Sequence, residues 1–396
     1  MTTVRERIAA VLSGAVDYEV GLDALTVAPA DEVGPALTAA LHDACARLWR
    51  GGWQPAELHR VVLRRGRPAH GHLVSDAVAA YLRGFSTGTV DARWLAQAAD
   101  VGATVWWSAD AGYLDAFGGR HRLDRITVLD TVLALLAVLA TLPAIEVLIP
   151  PPGAAPSGGG RGGPAGPGTV DARLLDRVRA LLAKAESTAY PAEAEAYTAK
   201  AQELMTRHSL DEAMLPPRSG GTAVVPFARR IGVDHPYEAE KAALLDAVAR
   251  ANRCHAVWSP ELGLVTVFGF DADIDAVDLI YTSLLVQGDR AMARTEPPGG
   301  KAGRAKLKAF RQSFLVAYTS RIGERLTEAA GVALADGTVA DGSALLPVLA
   351  SRDEQVRDTM HRVFPRTVRS RGGRVDSREG WDSGRAAADG AALPAG

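Results

Sequence analysis

One stretch limits what this chain can fold into more than any other: PPPGAAPSGGGRGGPAGPG at residues 150–168. Proline fixes φ and lacks an amide donor, while glycine leaves the backbone too free. Neither supplies an apolar side chain to anchor the segment, so it reads as a disordered Gly/Pro-rich linker. Each flanking part must then bury its own core. A chain of 396 residues, 47% apolar and 23% charged, has the length and composition to do so twice. Gly158, Gly160 and Gly163 spell GxGxxG inside this stretch. No helix opens directly after them, which removes the reading as a dinucleotide site.

Residues 1–149 are expected to form a mostly helical domain. Apolar spacing places helices at Val4–Val16, Ala36–Trp49, Val74–Leu82, Ala92–Ala99 and Ile126–Leu142. Another opens at Pro55, where a proline costs no hydrogen bond. The run TVLALLAVLATLPAI at 131–145 is shorter than the roughly 20 apolar residues of a membrane span and contains Pro143, so a buried helix is expected. Trp49, Trp53, Trp94, Trp106 and Trp107 all fall in this third of the chain and read as packing residues. Charges interrupt the N-terminal twenty residues, where a secretion signal needs an apolar stretch. Cys45 and Cys254 are the only cysteines and offer no disulfide framework. Together these point to a reducing cytoplasm.

Residues 169–217 carry helical periodicity on both sides of a turn. Leu174, Val178, Leu181, Leu182 and Ala185 share one face; after Pro191, so do Ala194, Tyr197, Ala201, Leu204 and Met205. The runs LLAKAEST at 181–188 and EAEAYTAKAQELM at 193–205 resemble the bacterial and phage family called domain of unknown function 2786. The flanking runs at 251–277, 310–326 and 379–389 are similar to actinobacterial members with a C-terminal α+β extension. The resemblance implies a helical hairpin and brings no activity, substrate or catalytic residue with it.

Residues 218–385 are expected to form an α+β domain, and the end is expected to fray from Ala386. Strands are placed at Thr222–Phe227 (continuing to Val233), Cys254–Trp258, Leu264–Phe270 and Leu345–Ala350. Helices are placed at Pro236–Ala251, after Asp271, at Leu307–Ala330 and at Asp353–Val363. The fold class is therefore α+β: a mostly helical first domain, a helical hairpin, and a small antiparallel sheet covered by helices.

Four constellations could carry chemistry. Lys301, Arg304, Lys306, Lys308, Arg311 and Arg321 lie between Pro297 and Gly323 with no acidic residue among them. A second acid-free run holds Arg362, Arg366, Arg369, Arg371 and Arg374. Such runs can neutralise phosphates and release counterions, or simply keep a surface wet. With a formal net charge of −2, a uniformly basic binder is excluded and local patches are not. The hairpin face Lys184, Glu186, Glu193, Glu195, Lys200 and Glu203 could do acid–base work, hold a divalent ion or dock a protein partner; more simply, Lys200 and Glu203 are i,i+3 neighbours that make an ordinary surface pair. His70 and His72 flank Gly71, with His59 and His121 elsewhere, but no second half of a metal site is visible. Cys254 and His255 are adjacent in an expected strand and should point to opposite faces, which disfavours a nucleophile–base pair.

HExxH and GxxxxGK[ST] are absent. The expected role is a cytoplasmic binding protein, without cofactor or metal, that associates with nucleic acid through its basic loops. A protein-interaction module working through the hairpin is the alternative, and an unrecognised enzyme is a third reading.

Overall fold

The computed structural model describes residues 3–154, 176–184, 197, 200–201, 204–205, 225–297, 303–341, 345–368 and 373–391. The chain forms two compact units, Met1–Gly159 and Gly160–Gly396, and the division falls inside the Gly/Pro-rich stretch. The fold is mostly helical, with one three-stranded antiparallel sheet.

The first unit contains α1 (Val4–Leu12), α2 (Tyr18–Val27), α3 (Ala30–Arg50), α4 (Pro55–Arg65), α5 (Pro68–Leu82), α6 (Ala92–Asp100), α7 (Tyr113–His121) and α8 (Arg125–Ala140). Its organising element is α8. Val128, Leu129, Val132, Leu133, Leu135, Leu136 and Leu139 are buried around its circumference. It is met by α1, α2, α3, α4, α5 and α7. A helix apolar on all sides must be enclosed. Among the described residues no helix is long and apolar enough to cross a membrane. Trp49, Trp53 and Trp94 are fully buried, and Trp49 meets Trp94 edge-on at 5.5 Å.

The structure differs from the sequence reading at several places in this unit: α2 was not expected, and α3 and α5 each begin six residues earlier than the apolar spacing placed them. Val4–Val16 does not continue as one helix, because Gly14 takes φ +73° and Asp17 starts α2 by accepting from the Glu19 and Val20 amides. The helix Tyr113–His121 was not expected, its two glycines and few apolar residues giving a weak periodic signal. The start of the linker is docked as well. Pro152 is buried, and the space where a side chain at Gly153 (φ +79°) would stand is taken by the Phe85 ring. The rest of the linker lies outside the described residues.

In the second unit β1 (Phe227–Gly232) is followed by α9 (Glu238–Ala251), β2 (His255–Ser259), β3 (Leu264–Gly269) and α10 (Asp271–Thr295). Then come α11 (Arg304–Asp341), α12 (Leu345–Val363) and α13 (Arg378–Asp389). The strand order is β1-β3-β2, with Ile231 opposite Val265 and Trp258 opposite Val265 on the other side. Val265 and Val267 join the core built with α9, α10 and α11. Phe268 meets Phe364 edge-on at 5.8 Å, just beyond α12, so the sheet is covered on both faces. Val178, Leu182, Ala201 and Met205, from the expected hairpin, are buried in the same core.

Two expectations are corrected here. The run at Leu345–Ala350 is the first part of helix α12 and not a strand. A short apolar run has no periodicity to separate the two, and Pro347 is tolerated in a first turn. The tail expected to fray from Ala386 is held as far as Ala391. Ala388 and Ala391 are buried, and Arg325 donates to the carbonyls of Ala388, Asp389 and Ala391. A guanidinium there satisfies the open C-terminal carbonyls of α13 and complements its dipole.

The close approach of α11 and α13 has a visible origin. A methyl group at Gly380 would collide with the Phe310 carbonyl, and one at Gly384 with the Phe314 carbonyl. These glycines are four residues apart, so they line one face of α13 and let the two backbones touch.

Candidate functional site

Helix α11 begins in an unusual electrostatic way. Acidic residues are favoured in a first turn because the helix dipole is positive there. Its first turn holds no acid and instead presents Arg304 and Lys306, with Lys308 following. All three are exposed, and none makes an ion pair among the described residues. The cations and the helix end reinforce one another, and the result is a local positive field.

Helical spacing then sorts these cations. Arg304, Lys308 and Arg311 fall at i, i+4 and i+7, on one face. With Leu307 they line a cleft of about 400 Å³ whose opposite wall is His235, Pro236 and Tyr237. Tyr237 precedes α9 in the left-handed conformation (φ 64°), and its ring is half-buried. Arg311 is committed: its Nε and Nη2 donate to Glu296 at 2.9 and 2.7 Å, and it also meets the Tyr237 hydroxyl. Hydrogen bonding to Glu296 pushes the Arg311 pKa upward. His235 Nδ1 lies 2.6 Å from Glu238 Oε2.

Lys306 falls on a different face, one turn before Phe310, against whose carbonyl Gly380 is seated. A second, shallower cleft of about 510 Å³ opens at the start of α13, lined by Val375, Asp376, Ser377, Arg378 and Trp381. It is fastened to α11 by the Asp376 and Ser377 amides, which donate to Ser313 Oγ at 3.0 and 2.9 Å. Asp376 is met by Arg374 at 3.6 Å and Asp382 by Arg378 at 3.7 Å, so the rim is close to neutral.

The two basic runs are thus brought together only in part. Gly373 packs on Val316 of α11, which carries Arg374 to the side of that helix. Arg374 and Arg321 are both paired, Arg321 with Glu324 and Asp389. Arg362 lies at the end of α12 and Arg366 just beyond it, both exposed. Lys301, Arg369 and Arg371 lie outside the described residues. The sequence reading missed His235, Tyr237 and Trp381. Trp381 was visible as the lone aromatic in a run of small and charged residues, but nothing in the sequence joins it to α11.

Of the hairpin face, Glu186, Glu193, Glu195 and Glu203 lie outside the described residues. Lys184 Nζ stands 5.6 Å from the centre of the Tyr197 ring, a cation–π contact. Lys200 is described and exposed.

The histidines do converge. His72 and His121 stack with ring centres 4.6 Å apart, and His59 lies close enough to His72 to feel its charge. Parallel rings leave no point toward which their nitrogens aim. Among the described residues no group of three or more His, Cys, Asp or Glu could hold a metal ion. His70 is a local cap, its Nδ1 accepting from the Arg67 amide at 3.2 Å. Cys254 is buried against Gly269, and burial raises its thiol pKa. His255 instead faces Asp353 at 3.2 Å, so the two do not pair. Burial pushes the Cys45 thiol up to about 12, which leaves it unreactive.

Comparison with known proteins adds one match. Residues 173–212 match the model of a family described as protein of unknown function (DUF2786), the stretch whose buried face joins the second core. The similar-looking runs at 251–277, 310–326 and 379–389 lie outside that match. No curated protein and no solved structure matches the chain.

Proposed function

We propose that this protein associates with nucleic acid through the phosphate backbone, at the first turns of α11, in the reducing cytoplasm. The observation that carries the reading is the sorting of the cations. Arg311, Arg321 and Arg374 are spent on carboxylates of the chain itself, whereas Arg304, Lys306 and Lys308 make no ion pair among the described residues. Exposed cations at the positive end of a helix repel one another, and a polyanion relieves that repulsion. Phosphate contacts carry no base information, so the expected binding is weak and little dependent on sequence.

The test is fluorescence anisotropy with labelled DNA and RNA across a salt series. Affinity is expected to fall steeply with salt. Arg304→Glu with Lys308→Glu should weaken binding by about tenfold or more and lower the log–log salt slope by about two, one for each lost phosphate contact. Arg321→Gln, which removes a cation already paired, should leave the slope unchanged. No anisotropy change at the lowest salt would remove the proposal.

A further inference from the structure

We infer that this surface takes single-stranded rather than duplex nucleic acid, with Tyr237 and Trp381 as stacking platforms on either side of the α11 cations. The inference rests on the phosphate-binding reading above and adds to it the class of strand bound.

The argument begins with the walls of the two clefts. A surface that binds only phosphates needs cations and no rings. Here the cleft containing Arg304 and Lys308 has Tyr237 in its opposite wall, with Leu307 as apolar floor. Tyr237 is half-buried, so its position is fixed by packing while part of the ring remains accessible. Across α11, the second cleft contains Trp381, also half-buried, and its two charged lining residues, Asp376 and Arg378, are met by Arg374 and Asp382. With both lining charges paired, the indole is the largest apolar group that cleft offers a ligand. Lys306 stands on that side of the helix by spacing, and Gly380, next to Trp381, is seated on the Phe310 carbonyl.

Tyr237 with Arg304 and Lys308 thus occupies one face of α11, and Trp381 with Lys306 the opposite face. The helix between the rings is about 10–12 Å wide. A flexible strand can lay its phosphates on the helix and turn a base outward on each side. In a duplex the bases are stacked and paired, and only the backbone could reach these cations. Every base has a π-face, so such platforms tolerate sequence and select for an unpaired strand.

The experiment compares three ligands of equal phosphate number on the full chain: a mixed-sequence single strand, its duplex, and a strand of abasic sites. The single strand is expected to bind about tenfold more tightly than the abasic strand, and to quench tryptophan fluorescence. Replacing Trp381 by Leu should remove most of the quenching and weaken single-strand binding about tenfold, with little change for the abasic strand. Tyr237→Leu should act in the same way. Tyr237→Phe should retain binding, because the ring matters and the hydroxyl does not. Since the abasic comparison uses the unaltered protein, it stands even if a variant fails to fold. Salt-sensitive binding that is equal for the normal strand, the abasic strand and the duplex would overturn the stacking and leave the phosphate reading intact. Binding to none of the three would remove both.

Discussion

At the scale of single residues, the most consequential side chain outside the candidate site is Asp76. It is 7% exposed, and its two oxygens accept from Trp106 Nε1 and the Tyr113 hydroxyl, each at 2.8 Å. Burial raises its pKa, and those two hydrogen bonds oppose the rise. The carboxylate fastens the irregular segment carrying Trp106 to α5 and orients the buried Tyr113. Replacing Asp76 by Leu leaves both donors without their acceptor and should destabilise the first unit by about 2–3 kcal/mol. Asp76→Asn, which keeps one acceptor oxygen, should recover part of that loss. Denaturant midpoints followed by tryptophan fluorescence would measure both. None of this was legible in the sequence, where Asp76 sits in an ordinary helical run. Its partners are 30 and 37 residues away.

Among the elements, α13 shows what a local pattern can and cannot reveal. The sequence EGWDSGRAAAD is rich in small residues and low in apolar ones, and hydrophobic periodicity passes over it. Its helix is stabilised by closeness: Gly380, Gly384 and Ala388, at four-residue spacing, lie against α11. Gly384→Ala should cost about 3 kcal/mol, because the colliding atom is a backbone carbonyl that can move only with its helix. Ala386→Gly, on the exposed side, should cost about 1 kcal/mol through helix propensity alone. Thermal unfolding by circular dichroism separates the two, and equal losses would contradict the packing account. The opposite case is the β2–β3 hairpin. Its β-branched and aromatic runs around SPELG located both strands from the sequence to within a residue.

For the molecule as a whole, acid sensitivity should be concentrated in the first unit. Burial lowers the pKa of His42, His59, His70 and His121 there, and the charge of His72 lowers His59 and His121 further. A folded-state value below the unfolded one, about 6.5, means the unfolded chain takes up protons first as pH falls. Stability is therefore full above about pH 6.5 and declines below it, toward the depressed folded values. The carboxylates that are lowered in this unit, such as Asp110 and Asp130, contribute their loss only nearer their own unfolded value of about 3.9. The thermal midpoint of the first unit should drop between about pH 8 and about pH 5, and His72→Gln should reduce the drop. Tryptophan fluorescence reports on this unit, which holds five of the seven tryptophans.

By itself the sequence determined the division at the Gly/Pro-rich stretch, most of the long helices, the burial of α8 and the antiparallel hairpin. Each of these follows from relations within a few residues of one another: apolar spacing, a capping side chain, a proline or a glycine. It also located the two basic runs. Only the tertiary structure decided which of those cations remain available. Arg311 meets Glu296 across 15 residues, and Arg321 meets Asp389 across 68. Charge density is a property of a segment, whereas neutralisation is a property of what packs beside it. The same reason hid the two rings: Tyr237 and Trp381 are 144 positions apart in the chain and flank one helix only because α9 and α13 both pack against α11.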